Sequence, residues 1–163
     1  MLIHTYRMNR NPHGSFAFKF VDNYTLISVA GSWNTECVEI YNTLLKKRVE
    51  SKPEQRRCVI FDGRKWGFQT PECYNKFLEL NQYISGHYKA LFIAYYLAPE
   101  NFSLSTHLLD MANDEFKGTL NWRFFLNLQD VASWLNSEGF EIPALTNSDF
   151  PEPISANHYL DYL

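Results

Sequence analysis

Covalent and metal bracing have little to work with in this chain. Cysteine occurs three times, as Cys37, Cys58 and Cys73, an odd number with no Cys-x-x-Cys spacing. A disulfide framework is therefore not indicated, and the thiols read as buried groups of a protein in a reducing cytoplasm. Long apolar runs are missing too. The longest, residues 90–98, has nine residues and includes two tyrosines, which is far short of a bilayer-crossing helix and suits a buried strand. The start, Met-Leu-Ile-His-Thr-Tyr-Arg, lacks a basic segment followed by an apolar one, so no signal peptide is expected. An excess of one charge is also absent. With 15 Lys and Arg against 18 Asp and Glu, net charge −3, the chain is not built to neutralise phosphates, which argues against nucleic-acid binding. The longest basic run, Lys46-Lys47-Arg48, reads as the solvated face of a helix.

Signature motifs for chemistry are likewise lacking. There is no P-loop, no Gly-x-Ser-x-Gly and no dinucleotide-binding glycine fingerprint. The histidines His4, His13, His87, His107 and His158 are scattered; only His107 and Asp110 share an expected helix face, too thin a set for a metal. Neither a cofactor nor a metal is implied.

What is abundant is aromatic surface, 17% of the 163 residues. That exceeds the usual needs of one core of this size, and points to an interface or an aromatic-lined pocket. The length fits one domain able to bury a core without external bracing.

The chain is organised around residues 57–77. Cys58, Val59, Ile60 and Phe61 form a short apolar run typical of a strand covered on both faces. An irregular loop follows, Asp62-Gly-Arg-Lys-Trp-Gly-Phe-Gln. Thr70, Pro71 and Glu72 then supply an N-cap, a proline at the first helical position and an acidic first turn. Cys73, Phe77, Leu80 and Ile84 make one buried stripe of that helix, leaving Tyr74, Leu78 and Tyr83 off the stripe and expected to be exposed.

Before this unit, Phe16, Phe18 and Phe20 alternate with Ala17, Lys19 and Val21, and a turn at Asp22-Asn23 leads into a partner strand over 24–30, an antiparallel hairpin whose two turn residues tolerate positive φ. Asn34 caps a helix to about Ser51, with Cys37 or Val38, Tyr41, Leu44, Leu45 and Val49 facing inward. After it come a strand over 88–97, a helix over about 103–118 and a strand over 121–126. A last helix is capped by Asn127 with Asp130 three residues on, and turns Val131, Trp134 and Leu135 inward. The order β-β-α-β-α-β-α-β-α predicts an α/β domain: about five strands in a mixed, mostly parallel sheet with an N-terminal antiparallel hairpin, and about four helices. Residues 1–13 form a leading segment, 14–140 the domain, and 141–163 a proline-containing extension whose Tyr159, Leu160, Tyr162 and Leu163 dock either on a second copy or on their own domain.

In such a sheet ligands bind beyond the carboxyl ends of the strands. The residues placed there are Trp33, Asn34, Asp62, Arg64, Lys65, Trp66, Phe68 and Thr70. They form either a pocket for a flat or anionic ligand, with Arg64 or Lys65 as charge partner, or an aromatic lid with solvated charges beside it. Asp62 has no evident acid, base or metal partner, so an enzyme is not indicated.

The element order, the turn Gly31-Ser-Trp-Asn34, the segment Val59-Ile-Phe-Asp62 with its loop and Thr70, and the closing Asn127-Leu-Gln-Asp-Val-Ala-Ser-Trp-Leu135 together resemble a STAS domain, in particular the divergent bacterial STAS-like proteins similar to anti-sigma-factor antagonists. The resemblance implies a regulatory, non-catalytic module that binds another protein through the loop and the adjoining helix. The antagonists end that loop in Asp-Ser-Ser-Gly and carry a phosphorylated serine there. Here Gln69-Thr70-Pro71-Glu72 stands in its place, so the serine position falls on Pro71 or, with a shift of one residue, on Thr70. The two functional expectations are thus a protein-binding module, on a partner or a second copy, and a small-ligand carrier or sensor.

Overall fold

The computed structural model describes residues 11–51, 56–101 and 120–163, with the Phe68 side chain excepted. The helix expected over 103–118, with His107 and Asp110, lies outside these residues, as does His4. Strands β1 (Ser15–Phe20), β2 (Tyr24–Trp33), β3 (Arg56–Gln69), β4 (Ala90–Tyr96), β5 (Leu120–Phe125) and β6 (Ile154–Ser155) form one sheet in the order β5-β4-β3-β2-β1-β6. The four from β2 to β5 run parallel, and β1 is antiparallel to both β2 and β6. This is the expected mixed α/β sheet with one strand more.

The helices are α1 (Thr35–Ser51), α2 (Pro71–Ser85) and α3 (Leu128–Ser137). Alternation along the strands sorts side chains between two cores. Ile27, Val29, Phe61, Ile93 and Tyr95 face α1 and α2, while Leu26, Cys58, Ile60, Phe92 and Ala94 face α3 and the segment after it. On α1 the buried stripe is Cys37, Val38, Ile40, Tyr41, Leu45 and Val49, close to the expected one. No helix among the described residues is long and apolar enough to cross a membrane.

Three expectations change, and one open alternative is decided. First, β3 does not stop at Asp62: the stretch read as a loop stays paired with β2 to Gln69. Second, no non-glycine residue among those described has positive φ, so Asp22-Asn23 is not a mirror-image turn. The buried Arg57 guanidinium instead holds it, donating to the carbonyls of Val21, Asp22 and Tyr24 and to Thr25 Oγ1 at 2.7–3.2 Å. Third, Tyr74 is buried and Leu78 and Tyr83 are half-buried against the core. The reason is that α2 packs on α1 as well as on the sheet, with Lys76 bonded to Glu39 at 3.4 Å and its carbonyl accepting from Asn42; Tyr83 donates to Glu50 beneath the Lys46 ammonium. Of the two alternatives for the extension, the structure takes docking on its own domain. Beyond β6, a 3₁₀ segment (Ala156–Tyr162) places Tyr159 in a stack on Phe16, ring centroids 4.5 Å apart, with its hydroxyl donating to the Phe16 carbonyl at 2.8 Å.

Candidate functional site

At the carboxyl ends of the parallel strands, β2 and β3 outrun β4 and stay paired, Ala30 opposite Lys65, Gly31 opposite Trp66 and Trp33 opposite Gln69. Register shifts lie between Ser28 and Ala30 and between Gly31 and Trp33. These bulges break the apolar alternation that would have marked a strand, while glycine lets the two backbones approach. A Cβ at position 67 would sit 2.6 Å from Ser32 Oγ and 3.0 Å from its backbone nitrogen.

Of the eight expected site residues, Trp33 and Trp66 lie on one face of this ribbon and Asp62, Arg64 and Lys65 on the other. On the helix-covered face Trp66 packs edge-on against Trp33 and Phe61, centroids 5.7 and 5.1 Å away, and tilts over Phe77 at 5.4 Å. Trp33 is 3% exposed, with its indole N–H donating to the Ala30 carbonyl. The two tryptophans fill the space that a pocket between them would need. Asn101 fixes the Trp66 carbonyl from the β4 side at 3.0 Å.

Asn34 is a structural latch. Its Oδ1 accepts from Cys37 N, capping α1, and from His13 N, while its Nδ2 donates to the Asn11 carbonyl. Thr70 caps α2, its exposed hydroxyl accepting from Cys73 N at 3.3 Å. Phe68 lies within β3.

The bulge falls between Asp62 and Lys65, and Asp62, Arg64 and Lys65 lie toward the other face. There they line a polar pocket of about 60 Å³ together with Ser28, Asn147 and Glu152. Arg64 donates to Asp62 from Nε at 2.9 Å, from Nη2 at 2.8 Å and from its backbone N–H at 3.2 Å, and its guanidinium lies 4.5 Å from the centre of the Tyr96 ring. The hydrogen bond to Asp62, above all, raises the Arg64 pKa. Ser28 is 3% exposed and its hydroxyl has no hydrogen-bond partner among the described residues. The residues from 147 onward that wall this pocket were missed by pattern reading, because a proline-rich segment carries neither the period of a helix nor that of a strand.

Among the described residues no three His, Cys, Asp or Glu side chains come together to hold a metal. Burial pushes the Cys37 and Cys58 thiols up to about 12, so neither is a nucleophile near neutral pH.

No protein-family model matches the chain, and no curated protein does. The crystal structure of an uncharacterized protein from the DUF3478 family with a SpoIIAA-like fold, from Shewanella loihica PV-4, is similar to it, with a TM-score of 0.57 and 17% identity over 76% of this chain and 95% of that one. At that identity the likeness speaks for the fold alone. With its N-terminal hairpin, parallel crossovers and capped helix after β3, the chain has a SpoIIAA-like, that is STAS-like, α/β fold.

Proposed function

We propose that the chain is a non-catalytic, regulatory STAS-like module that works by presenting the β2–β3 ribbon and the start of α2 to a protein partner. The observation that carries this reading is the way Trp33 and Trp66 close the carboxyl end upon themselves. What remains outside is a polar surface on fixed backbone, with Lys65, Gly67, Thr70 and Glu72 exposed. A surface already held in place loses little entropy on association. The three buried thiols fit a reducing compartment such as the cytoplasm. The partner contact is polar rather than aromatic, since Tyr74 is buried and Leu78 and Tyr83 are half-buried against the core.

The test is recovery of partners after crosslinking in the cells that make the protein, comparing the native sequence with the double variant K65E/E72K. A partner that binds the purified native chain and is depleted about tenfold with the variant, at equal melting temperature, supports the surface. Identical recovery with both chains rejects it. A second copy of the chain counts as such a partner if sedimentation shows a dimer that the variant dissociates.

A specific observation also favours the small-ligand reading, moved to the other face of the ribbon. The buried, unpartnered Ser28 hydroxyl faces a pocket that holds an ion pair, and an orphan group of that kind gains from a polar ligand. Native mass spectrometry of gently purified protein, with Ser28→Ala as comparison, detects an added mass that the variant loses.

A further inference from the structure

The structure holds a larger-walled space at the opposite, amino-terminal end of the sheet, where nothing in the sequence pattern placed a site. It lies between the strands and the carboxyl halves of α1 and α2, has a volume of about 50 Å³, and is walled by Ile27, Leu45, Val59, Ile84, Leu91 and Ile93. Its polar neighbours are turned to each other. Asn81 Nδ2 donates to the Tyr95 hydroxyl at 3.1 Å, and Arg57 spends its donors on Thr25 and the hairpin carbonyls. Such a wall holds water poorly and rewards an apolar guest.

The mouth has a different character. Phe20, 38% exposed, and the half-buried Arg48 both line the space, with the guanidinium 4.4 Å from the centre of the Phe20 ring. Among the described residues Arg48 makes no ion pair. A cation thus sits at the rim of an apolar cavity with room for about two methylene-sized groups, on the scale in which a cavity of about 150 Å³ takes benzene.

We propose that this cavity takes the short aliphatic tail of a soluble amphiphile whose anionic head is held at Arg48. The tail leaves water for the space between Leu45, Ile27 and Ile93. A carboxylate head accepts hydrogen bonds from the planar guanidinium, which recognises it in two-point fashion. The site stands apart from the protein-binding surface, so either proposal survives the failure of the other.

The experiment is titration of the whole chain with butanoate, butan-1-ol and butylamine, followed by methyl NMR. Saturable shifts and intermolecular NOEs from butanoate to Ile27, Leu45 and Ile93 methyls are expected, with butanoate binding about fivefold tighter than the alcohol and butylamine weaker than both. Arg48→Gln should bring butanoate down to the level of the alcohol and leave the alcohol unchanged. Leu45→Phe, checked for native circular dichroism, should abolish both; the NOEs in the native chain stand whether or not that variant folds. Absence of saturable shifts at the cavity methyls overturns the site, and equal binding of butanoate and butylamine overturns the assignment of the head group to Arg48.

Discussion

At the scale of single residues the sequence was most legible where a side chain acts on its own neighbours. Thr70 accepts from Cys73 N and Asn127 from Asp130 N, each three residues away, so the signals for these caps are local. Thr70→Ala should lower stability by about 1 kcal/mol in urea unfolding, while Thr70→Ser should retain most of it. The role of Arg57 was not legible, because its partners lie 32–36 residues back and nothing local announces them. The buried thiols give a pH signature. Cys37 and Cys58 keep their protons in the folded chain up to about 12, whereas once unfolded they ionise from their ordinary 9.0. Above about pH 9 the unfolded state therefore binds fewer protons, so stability is level below that pH and falls toward 12. Melting temperature followed across this window should show the fall, and the double variant C37A/C58A should remove its early part.

For whole elements, periodicity served the helices well and the edges of strands badly. α1, α2 and α3 each show a 3.6-residue stripe, and each formed within a residue or two of its expected bounds. The stretch after Asp62 was misread because bulges and two glycines interrupt alternation, and its pairing with β2 is a long-range fact. β6 is two residues long, too short to leave a pattern. Where the elements meet, glycine decides what fits. Gly14 has φ +127°, and a Cβ there would lie 2.4 Å from Trp33 Cδ1 and 2.8 Å from Cys37 Sγ. Gly14→Ala should destabilise by about 2 kcal/mol or more, measured by chemical denaturation, since backbone strain and overlap add. Removing the Tyr159 ring, stacked on Phe16, should cost about 2 kcal/mol by the same measurement.

For the molecule as a whole, element order was enough to give the fold class, because strands alternating with helices after a hairpin leave few topologies. The grouping of the site was not legible. Whether Asp62 and Trp66 share a face depends on one bulge, and that bulge sends them to opposite sides of the sheet. The amino-end cavity was equally hidden, since it is a mismatch of side-chain volumes across two helices and several strands rather than a property of any one segment. The extension closes the architecture: Ala156 N donates to the Gly14 carbonyl at 3.0 Å, and β6 covers the outer edge of β1. A chain ending at residue 153 should melt at least several degrees lower, by differential scanning calorimetry, and aggregate more readily once that edge is bare.

That closure also sets a schedule. Phe16 and Tyr159 are 143 residues apart, so at typical translation speeds β1 waits roughly 7–30 s on the ribosome before its covering segment is made. During that interval the nascent chain carries a phenylalanine-rich ribbon with an open backbone edge, and a chaperone that shields it would influence yield more than any change in the finished fold.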